Sequence, residues 1–407
     1  MSCTSGSTFR TFPRWLVAVG LFYCCVFAQA AEVEFEQCTR GLKDRALASG
    51  ISEPTVTLAF ADVQRLERVI NLDRSQPEFT ITFADYYSRR VTSSMIANGR
   101  DLLRQKRQLL DVVTAATGVP GHYIVAFWGL ETRFGGYLGK VPVMDALVTL
   151  ACDGRRTDYF GGELIAVLTL VDNGDVNTDE LVGSWAGAVG QMQFMPSAYL
   201  EHAVDGDGDG ARNLWRSVAD AMFSAGEFLS HLGWQKGYRW GREVLLPADF
   251  EYLNGSSDES RSVSEWAGLG VMNANGEPLM QASIAGRLLL PGGRNGPVFL
   301  IYDNFDVIMG WNRAEFYALS VGLFADQIAG SPGLVRPPLQ AEPLTRGTLQ
   351  AVQTRLDEMG FDAGKPDGLM GPNTRRAIGQ FQKRSGLIAD GYPDAATLAA
   401  LEISADS

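Results

Sequence analysis

The chain has 407 residues, of which 46% are hydrophobic and 20% are charged, and its formal net charge at pH 7 is −12. This length can hold two or three domains with a sizeable core, and the composition excludes a disordered or collagen-like chain. The acidic balance argues against nucleic acid as a partner and against adhesion to an anionic membrane surface.

Residues 1–31 have the pattern of a secretory signal peptide. Arg10 and Arg14 lead into an apolar run from Trp15 to Ala28, which ends in Ala28-Gln29-Ala30. A basic start, a short apolar stretch and an A-x-A end predict cleavage at this point. The remaining chain would have 33 basic and 47 acidic residues, a net charge of −14, because the removed segment contains two arginines and no acidic residue.

A membrane anchor is the alternative for this segment. The apolar run is shorter than the about 20 residues that a bilayer requires, which favours cleavage. A lipoprotein anchor is disfavoured because Cys24 and Cys25 follow the bulky side chains of residues 21–23.

Cleavage would leave Cys38 and Cys152 as the cysteines of the mature chain. An even pair in an exported protein can form one disulfide. Two separate buried thiols are the alternative, since sequence spacing gives no distance. Neither the number nor the spacing of the cysteines suits a metal cluster.

Hydrophobic periodicity predicts a long, mainly helical region over residues 32–330. Apolar residues recur at helical spacing through 33–116 and again at 312–329. Between them, a core of about 117–235 is rich in helical pattern and is interrupted by glycine clusters.

Residues of about 240–305 differ from the rest of this region. Short β-prone segments and turns at Asn254-Gly255 and Asn275-Gly276 predict a small β-containing insertion. Residues 331–343 contain four prolines and little periodicity, which predicts a linker. The segment 344–402 that follows is predicted to form a separate unit.

Glu131 is the first candidate for catalysis. Pro120 is well placed to begin a helix, and the segment from Ile124 to Leu130 is apolar on most sides. Desolvation at the end of such a helix disfavours the ionised carboxylate, which suits a general acid. A helix-end glutamate paired with Arg133 or with a backbone donor is the alternative.

Two later stretches have the composition of a sugar-binding groove. Gly183–Pro196 is dominated by small residues, so a ligand can approach its backbone closely, and its polar side chains are Ser184 and two glutamines. Trp311–Tyr317 places aromatic residues around an amide at the predicted start of a helix. Aromatic faces and amides are the groups that commonly hold sugars.

The motifs that begin at Glu131, Gly183 and Trp311, in this order and spacing, resemble the membrane-bound lytic transglycosylase B family. The resemblance runs from about Phe35 to Ile328. It implies a mainly α fold, with a lysozyme-like helical catalytic domain, a flanking helical region and the small β-containing insertion. It also implies a periplasmic enzyme whose partners are peptidoglycan glycan strands, with other cell-wall enzymes as further candidates.

The same resemblance implies roles for individual residues. Glu131 lies at the position of the family's single catalytic acid and base. The side chains that would line the sugar site are Ser184, Gln193, Asn312, Tyr317, Tyr86 and Trp311. Two residues depart from the pattern: Trp311 stands where some members have tyrosine, and Phe228 stands where some place a tyrosine in the groove.

Arg155 and Arg156 also match the family pattern. A contact with the carboxylates of the stem peptide is the functional interpretation of this pair. A structural ion pair is the alternative, and it is the one that we favour.

The number of carboxylates in the motifs bears on the mechanism. Retaining and inverting glycosidases usually need two, whereas these motifs supply one. The resemblance implies that Glu131 protonates the oxygen between MurNAc and GlcNAc and then accepts the proton of the C6 hydroxyl. That hydroxyl closes on C1 to give 1,6-anhydro-MurNAc, without water or a cofactor. A muramidase that uses water and a non-catalytic peptidoglycan-binding protein are the alternatives.

Residues 205–213 follow the ligand order of a calcium loop. The ligands at positions 1, 3, 5 and 7 would be Asp205, Asp207, Asp209 and the carbonyl of Ala211. Position 12 is Arg216 instead of glutamate, and the resemblance implies that a later aspartate, Asp220, replaces it. The ion would be structural, and a hydrogen-bonded Asp-Gly turn is the alternative.

The segment 344–402 resembles a small three-helix peptidoglycan-binding module. The pattern Asp-Gly-x-x-Gly-x-x-Thr ends at Thr374 and is followed by Phe381-Gln382, and no internal repeat is evident. The glycines serve a turn and Thr374 can cap or pack, so these residues are expected to form the fold. The module implies tethering, which raises the local substrate concentration for the linked enzyme.

Overall fold

The structure is a computed structural model that describes residues 15–75, 81–252, 259–338 and 344–404, with side chains from residue 32 onward. The first 14 residues of the predicted signal peptide and the predicted Asn254-Gly255 turn lie outside the described residues. The chain is mainly helical, as predicted. The mainly α fold class is therefore confirmed.

Short helices dominate the region before the candidate acid. In the described part of residues 15–117 they are α1 Trp15–Ala48, α2 Glu53–Ala59, α3 Glu67–Ser75, α4 Phe83–Arg90, α5 Ser93–Gln105 and α6 Arg107–Thr117. Ser52, Thr82 and Thr92 begin α2, α4 and α5 because each side chain accepts a hydrogen bond from the backbone N–H three residues later.

Helix α7, Gly121–Thr132, lies in the hydrophobic core of residues 32–330, the predicted catalytic region. It follows Pro120 and ends where Arg133 adopts a left-handed φ of 52°. All residues from Tyr123 to Leu130 are buried, as expected for a helix that is apolar on most sides. The helix packs on α5, α6 and α14, Glu315–Ile328.

Gly129 permits the close approach of α7 to α14. A Cβ atom at this position would lie 2.7 Å from a ring carbon of Phe324 on α14, closer than side chains tolerate.

Further helices of the catalytic region are α8 Val143–Cys152, α9 Thr157–Asp172, α10 Pro196–His202, α11 Val218–His231 and α13 Asp303–Trp311. The disulfide Cys38–Cys152 joins α1 to α8.

A five-stranded antiparallel sheet lies within the predicted insertion. Its strands are β3 Gly241–Leu245, β4 Arg261–Ser262, β5 Met272–Asn273, β6 Ala285–Leu289 and β7 Val298–Ile301, in the order β4-β6-β7-β3-β5. With α12, Val263–Gly268, the sheet encloses a small core of its own around Trp266. Asn273 and Glu277 close the turn that was predicted at Asn275-Gly276. A second antiparallel pair of strands, β1 Val141–Pro142 and β2 Val182–Gly183, brackets α8 and α9 in the chain.

The C-terminal unit contains three helices, α15 Arg346–Glu358, α16 Pro372–Arg384 and α17 Ala395–Ala400, around a separate hydrophobic core. Two buried glutamines hold its loops in the same way. The amide of Gln353 donates to Asp367, Leu369 and Thr374, and its oxygen accepts from Gly368 N–H. The unit therefore has an internal repeat that the sequence did not reveal, because Gln382 repeats this pattern with the loop from Asp390 to Thr397.

Among the described residues after position 31, no single helix has both the length and the apolar character needed to cross a bilayer. The sharply bent pair α6 and α7 meets these criteria only when the two helices are taken together.

Candidate active site

The carboxylate of Glu131 lies in the last turn of α7 and receives two hydrogen bonds from the far end of the catalytic region. The indole Nε1 of Trp311 donates to Oε1 at 3.0 Å, and the phenol of Tyr317 donates to the same oxygen. Trp311 ends α13 and Tyr317 lies in the first turn of α14. The first and third sequence motifs therefore meet at one carboxylate oxygen.

Tyr317 is held as a hydrogen-bond donor. Burial raises the pKa of its phenol well above the usual range, and the negative charge of Glu131 raises it further. The phenol therefore keeps its proton across the physiological range and can donate to the carboxylate.

Aromatic rings fix the orientation of the Trp311 indole. Its ring centroid lies 4.5 Å from that of Phe127 and 5.2 Å from those of Phe194 and Phe228. Phe228, which the sequence analysis noted as a departure, therefore packs against the donor to Glu131. At position 228, where the resemblance implies a tyrosine in some members, this chain has a phenylalanine ring that packs on Trp311 and offers no hydroxyl.

Thr132 and Gln191 connect α7 to the glycine-rich stretch. The buried hydroxyl of Thr132 donates to the carbonyl oxygen of Gln191 at 2.7 Å, and the side chain of Gln191 accepts from Trp128 Nε1 at 3.0 Å. The sequence analysis did not select either residue. Both could have been selected because Thr132 lies in the motif that begins at Glu131 and Gln191 lies in the glycine-rich motif that begins at Gly183.

Ser184 and Gln193 hold the glycine-rich stretch in its conformation. Ser184 Oγ accepts from the backbone N–H groups of Ala186 and Ala188 at 3.2 and 3.0 Å. Gln193 has a left-handed φ of 49°, and its amide donates to the carbonyl oxygen of Gly190 at 3.0 Å. Both side chains are partly exposed, so each can still contact a ligand.

Gly139 allows another chain segment to pass close to this stretch. Its φ is +94°, and an added Cβ would lie 1.9 Å from the carbonyl oxygen of Gly183. Glycine is required at position 139 because both the positive φ and the nearby carbonyl oxygen exclude a larger side chain.

Asn312 and Tyr86 complete the predicted sugar-binding set. The side chain of Asn312 accepts from Ala314 N–H at 3.1 Å and so separates α13 from α14. Tyr86 is buried on α4, with its ring 6.2 Å from that of Phe316 and 4.9 Å from the guanidinium of Arg90. Of the two, the partly exposed Asn312 is the more accessible to a ligand.

Arg155 and Arg156 converge on the buried carboxylate of Asp73. Arg155 donates to Oδ2 at 2.5 Å and to the Asp73 carbonyl oxygen at 2.8 Å, and Arg156 donates to Oδ1. Burial raises the pKa of Asp73, but the two arginines outweigh burial and lower the pKa overall. This geometry is that of the structural ion pair that we favoured from the sequence.

The acidic loop brings three carboxylates together. Oxygen atoms of Asp205, Asp207 and Asp209 lie within 4.8 Å of one another. Backbone N–H groups within the loop, including those of Gly208 and Gly210, donate to Asp205 and hold it in a closed turn. A cluster of carboxylate oxygens with backbone carbonyls nearby in the chain suits Ca²⁺.

Asp220 is outside that group of three carboxylates. It is buried, and its two oxygens accept from the backbone N–H groups of Gly206 and Asn213 at 2.8 and 2.6 Å. Its carboxylate therefore clamps the two ends of the loop together. Ala211, the carbonyl candidate, is exposed on the loop, and its N–H donates to Asp209.

The C-terminal unit packs against the catalytic region near α14. The buried Arg375 donates to Glu315, in the first turn of α14, at 2.6 Å, and to the carbonyl oxygen of Leu290 at 3.2 Å. A cleft of about 840 Å³ between the two parts is lined by Tyr86 and Phe316 on one side and by Tyr392 on the other. The C-terminal unit thus borders the catalytic region close to the partners of Glu131.

Two family models match this chain. Residues 34–326 match the family described as "Transglycosylase SLT domain", and residues 345–401 match "Putative peptidoglycan binding domain". The chain is also 31% identical to membrane-bound lytic murein transglycosylase B of Escherichia coli (strain K12) over 280 residues, which is 66% of this chain and 76% of that protein.

Solved structures extend the similarity. SltB3 from Pseudomonas aeruginosa, in complex with NAG-anhNAM-pentapeptide, matches with a TM-score of 0.86 and 40% identity, over 90% of this chain and 99% of that chain. The Escherichia coli lytic transglycosylase Slt35, in complex with calcium, matches with a TM-score of 0.62 and 30% identity, over 72% of this chain and 92% of that chain.

Proposed function

Since the chain belongs to the transglycosylase SLT domain family and is a lytic transglycosylase of peptidoglycan, we propose that it cleaves the MurNAc-β-1,4-GlcNAc bond and forms 1,6-anhydro-MurNAc. The observation that carries this proposal is the convergence of Trp311 and Tyr317 on Oε1 of Glu131. SltB3 binds both NAG-NAM-pentapeptide and NAG-anhNAM-pentapeptide, which supports this substrate and this product.

In the first step, the protonated carboxyl of Glu131 gives its proton to the glycosidic oxygen as the bond from C1 to that oxygen breaks. The acetamido group of the substrate stabilises the positive charge that develops at C1. Glu131 is now a carboxylate, and the N–H of Trp311 and the O–H of Tyr317 stabilise its charge.

In the second step, the carboxylate accepts the proton of the C6 hydroxyl while O6 bonds to C1. Glu131 regains its proton, the ring of the product closes, and no water is consumed. One group makes both proton transfers, so the reaction needs no second carboxylate. In agreement, the glycine-rich stretch 183–196 contains neither aspartate nor glutamate.

Ser184, Gln193 and Asn312 are proposed to contact the sugars around this carboxylate. All three are partly exposed, and all three also hold backbone turns, so they would present groups of fixed orientation to the glycan. Tyr86 and Tyr317 are buried, and we assign Tyr317 to positioning Glu131.

The acidic loop is proposed to bind a structural Ca²⁺ through Asp205, Asp207, Asp209 and the carbonyl of Ala211. The calcium complex of Slt35 supports this ion, and the clustered carboxylates fit it. Asp220 would then act by holding the loop closed. The ion would supply no chemistry to the cleavage.

The C-terminal unit is proposed to hold the enzyme on its substrate, and the predicted signal peptide to direct the chain to the periplasm. Peptidoglycan is the substrate of the family and lies in that compartment. Other cell-wall enzymes remain proposed partners.

Product analysis tests the reaction. Purified sacculi are digested with the enzyme in water enriched in oxygen-18, and the masses of the released muropeptides are measured by mass spectrometry. We expect anhydro-muropeptides, one water lighter than reducing muropeptides and without the isotope. Reducing ends that carry oxygen-18 would instead identify a muramidase, and absence of release would identify a binding protein.

A further inference from the structure

A second group of side chains that can ligate a metal shares no residue with the acidic loop. Glu201 and His202 end α10, and His231 ends α11. One ligand atom from each lies within 4.8 Å of the other two. We propose that these three side chains form a structural site for a divalent transition metal of the Zn²⁺ class.

The geometry of the three side chains is close to what such an ion requires. The Nε2 atom of His202 is 3.8 Å from a carboxylate oxygen of Glu201, and the centroids of the two imidazole rings are 4.4 Å apart. Tetrahedral coordination with bonds of about 2.0–2.1 Å places ligand atoms about 3.3 Å apart. Because Glu201 and His231 are exposed, rotation of their side chains can close the remaining gap while His202 stays in place.

The ligand types distinguish this site from the acidic loop. Two imidazoles and one carboxylate suit Zn²⁺, whereas Ca²⁺ and Mg²⁺ prefer oxygen alone. A fourth position is available to water or to Glu227, which precedes His231 by one helical turn on α11.

The amino-acid composition makes this pair of histidines distinctive. The chain has three histidines, and the third, His122, lies on α7. Cys38 and Cys152 are joined in a disulfide and offer no thiolate. After removal of residues 1–31, imidazole ligands therefore come from His202, His231 and His122, and no free cysteine remains.

A metal here would connect the ends of the two helices that flank the acidic loop. His202 is stacked on Phe228, with ring centroids 4.8 Å apart, and Phe228 lies 5.2 Å from the Trp311 ring. Trp311 in turn donates to Glu131. The ion would thus restrict the movement of the Phe228 and Trp311 rings that pack next to Glu131. We expect it to increase the stability of the folded protein.

The test is calorimetric titration of Zn²⁺ into the chain without residues 1–31 and without a histidine tag. Saturating Ca²⁺ is present to occupy the acidic loop. We expect one Zn²⁺ per chain and a higher thermal midpoint, because a ligand that binds only the folded state stabilises it. Added Mg²⁺ should neither bind at the site nor raise the midpoint.

His231→Gln is the central variant because this side chain is exposed and its loss should leave the fold intact. Changes around a metal site commonly weaken binding by about 10–100-fold, so loss of a ligand should weaken Zn²⁺ binding at least about tenfold. The rise in thermal midpoint should disappear as well. His202→Gln should have the same effect on binding, and His122→Gln, the matched control, should bind as the parent does.

Three results would overturn the proposal. The parent chain fails to bind Zn²⁺, or His231→Gln binds as tightly as the parent. In the third, Asp205→Ala abolishes Zn²⁺ binding while His231→Gln does not, which would place the ion in the acidic loop.

Discussion

The indole N–H of Trp311 donates to Oε1 of Glu131 at 3.0 Å, although 180 residues separate them in the chain. The contact joins the end of α13 to the end of α7, and the aromatic rings of Phe127, Phe194 and Phe228 fix the indole that makes it. The β-containing insertion between the two motifs in the chain therefore does not prevent the contact between α7 and α13.

Trp311→Phe should lower the rate of muropeptide release while the protein remains folded. Phenylalanine retains most of the ring packing but loses the N–H donor. Hydrogen bonds to charged groups contribute about 1.5–3 kcal/mol, which corresponds to about 10–160-fold in rate if the bond acts fully in the transition state. The measurement is the initial rate of release from purified sacculi. A rate equal to that of the parent would show that the indole N–H has no part in the reaction.

Tyr317→Phe should reduce the rate by a similar factor and shift its dependence on pH. Loss of a donor disfavours the ionised form of a carboxylate, and Glu131 must be protonated to act as the acid, so the alkaline limb of the pH–rate profile should move to higher pH. Because Trp311 and Tyr317 donate to the same oxygen, the effects of the two substitutions should not add. The pH–rate profiles of both single variants and the double variant measure this. An unmoved alkaline limb would argue against a role for Tyr317 in stabilising the charge of Glu131.

Asp73→Asn should remove a stabilisation that depends on pH. Arg155 and Arg156 lower the pKa of Asp73 against the opposing effect of burial. The contribution is therefore present above the unfolded-state pKa of about 3.9, and it is lost as pH falls through the lower pKa of the folded state. The free energy of unfolding in urea should thus differ between parent and variant at neutral pH, and the difference should shrink below about pH 4.

Asp101→Asn is the matched control for that experiment, because its carboxylate forms an exposed ion pair with Arg104. It should leave the acid dependence of unfolding close to that of the parent. If the difference in the free energy of unfolding between Asp73→Asn and the parent stays constant down to the lowest pH, the ionised carboxylate does not have this stabilising role.

Removal of Ca²⁺ should lower the thermal midpoint of the parent chain. An ion that binds only the folded state contributes about 2.7 kcal/mol when present at 100 times its dissociation constant. Asp205→Ala should have the low midpoint whether or not Ca²⁺ is added. If chelation leaves the parent midpoint unchanged, the acidic loop is a hydrogen-bonded turn that needs no ion.

Local sequence patterns were sufficient for the mainly α fold class. The helix predicted to begin at Pro120, apolar on most sides up to Leu130, rests on a local pattern and corresponds to α7. The β-prone segments likewise correspond to the sheet at residues 241–301.

Contacts that depend on tertiary packing could not be predicted from the sequence. The hydroxyl of Thr132 reaches the backbone of Gln191, and Arg375 of the C-terminal unit reaches Glu315. Each of these contacts joins residues whose separation in the chain carries no periodic signal. The internal repeat of the C-terminal unit was hidden because Gln353 precedes Thr374 by 21 residues, whereas Gln382 precedes Thr397 by 15.

Substitution of Glu131 by glutamine tests the central claim most directly. The amide preserves the shape of the side chain but cannot transfer a proton, and general acid–base catalysis contributes about 100–10,000-fold. Release of anhydro-muropeptides from sacculi should therefore fall at least about 100-fold, while the thermal midpoint and the binding of sacculi stay close to those of the parent. Glu277→Gln, at an exposed turn of the insertion, should retain the parent rate. If Glu131→Gln releases anhydro-muropeptides at a rate near that of the parent, Glu131 is not the acid and base of the reaction.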